Sequence, residues 1–132
     1  IIPIISERTE IKDLNYSRAN KIIIEATEQS NQLNIPKLEE VKKLKDFISS
    51  LTDEDIVLFA DINSNKKIDF KNLDKKKNII LLVGPEGDFS SKELKLILSK
   101  KNTSSFSLSK NILRTETAVI SSLSIINYLL IL

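Results

Sequence analysis

Two short apolar runs constrain this chain more than anything else: residues 56–60 (IVLFA) and 79–83 (IILLV). Neither alternates polar with apolar. A strand that is apolar at every position must be covered on both faces, as in parallel sheets flanked by helices. The second run leads straight into Gly84, Pro85, Glu86 and Gly87, and then into a segment of helical character. Strand, glycine turn and helix, in that order, is how open α/β sheets build ligand crevices at the carboxyl ends of their strands.

The rest of the chain fits this frame. Residues 1–5 are apolar and β-branched around Pro3 and read as an edge strand. Residues 6–15 read as a polar loop. Helical spacing appears over 16–30, with Ala19, Ile22, Ile23 and Ala26 on one face. It appears again over 38–51, with Leu38, Val41, Leu44, Phe47, Ile48 and Leu51 on one face, after a short extended piece at 35–38. Residues 61–77 are polar and read as a long surface connection, with room for a strand or turn at 68–70. Ser90 and Glu93 form the S-x-x-E capping-box pattern before a helix that turns Leu94, Ile97 and Leu98 inward. Residues 104–108 read as a further strand and 115–132 as the last helix. The pattern predicts one α/β domain over 1–132, a mostly parallel sheet with helices on both sides.

What is missing narrows the chemistry. The 132 residues include no Cys and no His. Thiolate nucleophiles and imidazole bases are therefore excluded, and no metal site is expected. The net charge of +2, from 20 basic and 18 acidic residues, predicts no bulk attraction to nucleic acid. No charge-free apolar run approaches the roughly 18 residues of a membrane span. No signal peptide is visible, so a cytoplasmic location is expected. The chain starts at Ile1 rather than Met, which reads as a fragment with an N-terminal domain missing.

Two strings carry what chemistry there is. In GPEGDFSSKE, residues 84–93, Gly87 can adopt a positive φ and Gly84 lets another group approach the backbone closely. The spacing is neither G-x-G-x-x-G nor a Walker A loop. Taken alone, the string reads first as a tight turn. In NILRTETA, residues 111–118, Thr115 or Thr117 can cap a helix whose positive end suits Glu116. Arg114 is a cation where the helix dipole disfavours one, so an anionic partner is expected.

Together, in this order and at this distance, the strings resemble the SPOUT superfamily of knotted methyltransferases. More narrowly they resemble the bacterial 16S ribosomal RNA uridine-N3 methyltransferases. That family has G-P-E-G-G-[FL]-[ST]-x-x-E and L-G-x-R-[IV]-L-R-x-[ED]-T-A strings, which stand here as GPEGDFSSKE and LSKNILRTETA. Residues 6–9 (SERT) are similar to its [ST]-E-R-[ST], residues 25–30 (EATEQS) to its E-A-x-E-Q-[SC], and Ile35-Pro36 to its V-P. Asp88 stands where the family has a second glycine, Ser109 where it has the glycine of L-G, Asn111 where it has arginine, and Gln32 where arginine often follows. Asp88 adds negative charge beside the expected ligand, and two basic RNA contacts are absent.

The resemblance implies an α/β fold whose C-terminal segment forms a deep trefoil knot. It implies S-adenosylmethionine held by three loops. These would be the loop after Phe59 and Ala60, the Gly84–Gly87 turn and the span from Leu108 to Thr115, with Phe59, Ala60, Leu82, Gly84, Pro85, Glu86, Gly87, Leu108, Ser109, Ile112, Leu113 and Thr115 as the contacts. Arg114 and Glu116 would be catalytic. Arg8, Arg18 and Gln29 would contact RNA, while Lys75 to Lys77 read first as a solvated run. The implied reaction methylates N3 of a uridine in 16S ribosomal RNA of the small subunit. The absence of Cys fits N3 rather than the thiol-addition route to C5. The alternatives are another RNA nucleotide (a ribose hydroxyl or a tRNA base) and a non-catalytic RNA-binding relative. A homodimer through the last helix and an N-terminal β-barrel RNA-binding domain, absent from this chain, are also implied.

Overall fold

The apolar run at 56–60 becomes the centre of a parallel sheet. The computed structural model describes residues 1–10, 12–66, 73, 74 and 76–131. In chain order the elements are β1 (Ile4–Ile5), α1 (Tyr16–Gln29), β2 (Lys42–Lys43), α2 (Leu44–Ser50), β3 (Asp55–Ala60), β4 (Asn78–Leu82), α3 (Ser91–Leu98), β5 (Thr103–Phe106) and α4 (Thr115–Ile131). Residues 68–70, Lys75 and Leu132 lie outside the described residues, so the strand or turn expected at 68–70 does too.

Strands β4, β3 and β5 lie side by side in that order, all parallel. Val57 sits opposite Ile80 on one side and Thr103 on the other. The pleat sends alternate residues of β3 to opposite faces. Val57 and Phe59 join Leu44, Phe47 and Ile48 of α2 and Ile97 of α3 in one core. Leu58 joins Phe106 and Ile126 of α4 in a second core, flanked by Ile56 and Ala60. Helices thus cover both faces, as the unbroken apolar run requires. At the other end of β3, Asp55 ties the sheet together. Its carboxylate accepts the Thr52 backbone N–H and hydroxyl (both 2.8 Å) and the Asn78 amide (3.1 Å). The Thr52 backbone N–H, followed by the Asn78 amide and the Thr52 hydroxyl, holds this carboxyl below the ordinary aspartate range.

Three expectations are corrected. The helix foreseen over 38–51 begins only at Leu44. Ahead of it the backbone is committed elsewhere: Glu39 N–H donates to the Ile1 carbonyl (2.8 Å) and Lys42 N–H to the Pro3 carbonyl (3.0 Å). These bonds run into the parallel β1–β2 ladder, a two-stranded sheet separate from the main one. Next, α1 forms as foreseen, but its apolar face is only partly covered. Ala19 and Ile23 are half-buried, whereas Ile22 and Ala26 are exposed. Thirdly, Leu98 of α3 is exposed, and Glu93, Ile97 and the half-buried Leu94 and Leu96 face inward instead.

Helix α1 ends for a local reason. Asn31 is left-handed (φ 52°), Gln32 N–H bonds the Thr27 carbonyl (3.1 Å) and Asn31 N–H bonds the Glu28 carbonyl (3.2 Å). This is a Schellman closure, with asparagine taking the place usually given to glycine.

Candidate functional site

The loops leaving the carboxyl ends of β3, β4 and β5 surround a cleft of ≈ 480 Å³. That volume is ordinary for a small-molecule site. Ala60, Asp61 and Ile62 form one wall, and residues 83–88 a second. The third is residues 107–109 and 111–115 with Ala118. The walls are bonded to one another. Asp61 N–H donates to the Phe106 carbonyl (2.9 Å) and Ser107 N–H to the Lys66 carbonyl (3.1 Å). The Thr115 hydroxyl reaches the Gly84 carbonyl (3.4 Å).

The Gly84 turn is built in three steps. Asp88 N–H closes a turn on the Pro85 carbonyl (2.8 Å), so Pro85 opens the turn and Gly87 sits inside it. The left-handed residue is then Asp88 (φ 59°); neither glycine uses the positive φ open to it. Aspartate tolerates this region better than most side chains, and its Oδ1 accepts the Phe89 N–H (2.7 Å). Phe89 then turns inward against Phe59, with ring centroids 5.5 Å apart. Its ring explains Gly84, because a Cβ there would lie 3.2 Å from Phe89 Cε2 and 3.3 Å from Asp88 Oδ1.

Glu93 fixes the turn from outside the cleft. Its Oε2 accepts the Ser90 N–H (2.9 Å) while the Ser90 hydroxyl accepts the Glu93 N–H (3.3 Å), the reciprocal capping box read from the sequence. Its Oε1 accepts the Glu7 N–H (2.8 Å), which docks residues 6–9 beside the turn. Arg8 Nη1 then donates to the Gly87 carbonyl (2.7 Å), and its Cβ lies 3.3 Å from where a Gly87 Cβ would be. We predict that Glu93→Gln lowers stability by about 1–2 kcal/mol, since an amide can replace only one of the two acceptor oxygens. Urea unfolding at neutral pH measures it, and an unchanged midpoint would show that Glu7 and Ser90 find other acceptors.

Most residues assigned to the cofactor by resemblance line the cleft: Ala60, Gly84, Pro85, Glu86, Gly87, Leu108, Ser109, Ile112, Leu113 and Thr115. Phe59 and Leu82 do not. Both are buried in the α2–α3 core, because strand pleating turns them away from the opening. Arg114 lines the cleft. Its carbonyl accepts the Ala118 N–H (2.9 Å) as α4 begins. Among the described residues the ion pairs are Lys21–Glu25 and Lys37–Glu39, so none of these residues supplies the anion expected for Arg114. Glu116 is exposed in the first turn of α4, outside the cleft lining and unpaired with Arg114.

Of the residues assigned to RNA, Arg8 is held on the turn as described. Arg18 and Gln29 are exposed on α1, apart from the cleft lining. Lys77 is partly buried and donates to the Asp53 carbonyl (2.7 Å). Sequence reasoning had the loop after Ala60 and the span from Leu108 to Thr115 without naming Asp61, Ile62 or Asn111 for the cofactor, missed Val83, Ser107 and Ala118, and had Asp88 as a departure from the family string beside the ligand. Asp61 and Val83 each follow directly on an apolar run, which is the signal that marks a strand's carboxyl end. Among the described residues, no group of His, Cys, Asp or Glu is placed to hold a metal ion, and no helix is long and apolar enough to cross a membrane.

A parallel sheet opening at its carboxyl ends onto a glycine turn and an arginine-bearing loop defines an α/β protein with a small-molecule cleft at its strand ends. The chain belongs to the RNA methyltransferase domain family, whose model matches residues 1–127. It is 35% identical over 127 residues to ribosomal RNA small subunit methyltransferase E of Rickettsia conorii, covering 94% of this chain and 51% of that protein. It is 36% identical over 129 residues to the protein of the same name from Aquifex aeolicus, covering 95% and 55%. The chain thus spans about half the length of these curated relatives. Among solved structures, ribosomal RNA small subunit methyltransferase E from Neisseria gonorrhoeae bound to S-adenosyl methionine superposes with a TM-score of 0.83 at 26% identity, covering 96% of this chain and 53% of that one. Lpg2936 of Legionella pneumophila, solved with bound SAM, gives 0.78 at 28% identity, covering 96% and 54%.

Proposed function

We propose that this chain is the S-adenosylmethionine-binding catalytic domain of an enzyme that methylates N3 of a uridine in 16S ribosomal RNA. The observation that carries the reading is the cleft at the strand ends, with an arginine on its wall that forms no ion pair among the described residues. The names of the similar proteins and the bound cofactor in two similar structures support it.

The residues fit the cofactor. Ile62, Val83, Leu108, Ile112 and Leu113 offer apolar surface for an adenine, and the backbone of residues 83–88 and 107–109 offers polar groups for its edge. When bound, S-adenosylmethionine supplies a methyl group activated by its sulfonium. The chain must orient the uracil and deal with its N3 proton, because a neutral imide nitrogen has no free lone pair. Arg114 stabilises the negative charge that develops on the uracil. The proton leaves to a base; Glu116, the candidate from the resemblance, lies two residues beyond Arg114 and outside the cleft lining. Much of the acceleration comes from holding the two reactants in line.

Arg8, Arg18 and Gln29 are proposed RNA contacts, with Arg8 beside the cleft turn. Helix α4 is apolar on its outer face as well, where Ile120, Leu123, Ile125 and Tyr128 are exposed. Such a face calls for a partner, and a second copy of the chain is the proposed one. Sedimentation of the protein tests this; a monomer at micromolar concentration would remove the dimer. The trefoil knot, a separate N-terminal RNA-binding domain in the longer protein and a cytoplasmic location complete the proposal.

The deciding experiment is mass spectrometry of 16S ribosomal RNA from a strain lacking the gene. The N3-methyluridine is expected to vanish. Its persistence, with loss of a different methylated nucleotide, would reassign the substrate.

A further inference from the structure

Carboxylates outnumber cations on the cleft wall. Asp61, Glu86 and Asp88 line it against the single guanidinium of Arg114. None of the four belongs to an ion pair among the described residues. The three acids do not form a metal-holding group. The lining thus carries three carboxylates to one guanidinium, with a second guanidinium, that of Arg8, held on the Gly87 carbonyl beside it.

Asp88 is the best placed of the three. Its left-handed backbone and the Phe89 N–H bond to Oδ1 hold the carboxylate beside Gly84, with Oδ1 3.3 Å from the position of a Gly84 Cβ. Among the described residues Oδ2 has no hydrogen-bond partner. Asp61 also keeps one oxygen free among the described residues, its Oδ1 accepting the Asn63 N–H (2.9 Å), but it lies on a different wall from the Gly84 turn, and Glu86 is exposed.

Methyl transfer changes the cofactor's charge. The sulfur–methyl bond breaks as the nitrogen–methyl bond forms, and the bonding pair returns to sulfur. The proton on N3 leaves to a base. A cationic sulfonium becomes a neutral thioether, so the cofactor falls from net charge +1 to zero.

We propose that Asp88 makes the cleft selective for the charged, methyl-bearing cofactor over its neutral product. Asp88 is thus a specificity-determining residue that favours exchange of spent for fresh cofactor. The inference rests on the cofactor reading above. A fixed carboxylate in a partly desolvated cleft attracts a cation several-fold more strongly than a neutral analogue of the same shape.

Calorimetric titration tests it without turnover, using the whole chain and three ligands. They are S-adenosylmethionine, S-adenosylhomocysteine, and sinefungin, in which an amine-bearing carbon replaces the sulfonium. The unsubstituted protein is expected to bind the two cationic ligands more tightly than S-adenosylhomocysteine. In Asp88→Asn, affinity for both cations should fall about fivefold, with less than a twofold change for S-adenosylhomocysteine. Asp88→Gly, which keeps a left-handed backbone at no steric cost, should show the same charge-specific loss. If both variants weaken all three ligands alike, or none, the residue acts by shape or not at all, and the proposal is wrong. If the unsubstituted protein binds none of the three, the cofactor reading itself fails and takes the proposal with it. Binding of all three with equal affinity would overturn the proposal and leave that reading standing.

Discussion

Arg114→Ala is expected to cut methyl transfer by at least about a hundredfold while cofactor affinity stays within about threefold. Removing one preorganised donor from a developing anion typically costs a factor of about 10² to 10³. The backbone of residue 114 is already committed, through its carbonyl, to the first turn of α4. Among the described residues the side chain has no ion-pair partner, so its loss leaves the cleft walls in place. Single-turnover kinetics on ribosomal RNA, together with calorimetry of the cofactor, separate the two effects. Equal loss of binding and turnover would make Arg114 a cofactor ligand, and unchanged turnover would take it out of the site.

Phe59→Ala carries the largest expected stability effect, about 3–5 kcal/mol. Phe59 has no exposed surface and lies in the core between the sheet and helices α2 and α3. Its ring also meets Phe89, which anchors the turn that holds Gly84 and Asp88. The damage is therefore expected in two places. The urea midpoint falls, and the protein that remains folded binds cofactor more weakly because Phe89 has lost its support. Phe106→Ala is the control, since Phe106 is equally buried but belongs to the opposite core with Leu58 and Ile126. It should lower stability by a similar amount with a smaller effect on the turn. Cofactor affinity lost equally in both variants would show that the Phe59–Phe89 contact has no special role.

What the sequence disclosed was mostly what short stretches decide. The strands at 56–60 and 79–83 were legible because apolar residues at every position leave a chain few other places to go. The capping box at Ser90 and Glu93 was legible because its atoms lie within a single turn. The helix boundary at Leu44 was hidden, since the competing bonds come from Ile1 and Pro3, distant in sequence. Local spacing cannot weigh such bonds. The positive φ went to Asp88 rather than Gly87 because the turn starts at Pro85, and glycine's freedom does not oblige it to be used. Phe59 and Leu82 were assigned to the cleft by resemblance, but strand parity places them in the core. Glu93's second oxygen was beyond reach, because nothing near Glu7 in the sequence announces a carboxylate from α3. The site's walls were thus visible as a list of loops. Their mutual fastening was not.

The three walls of the cleft hang from three neighbouring strands whose order, β4-β3-β5, joins segments far apart in the chain. Contacts of that kind are slow to form, because loop closure precedes any reward. No half-folded chain has the cleft, since losing either outer strand removes a wall. A ligand that needs all three walls binds only finished molecules and draws the folding equilibrium toward them. In a cell, cofactor supply would then govern how long this domain survives proteolysis as well as how fast it works.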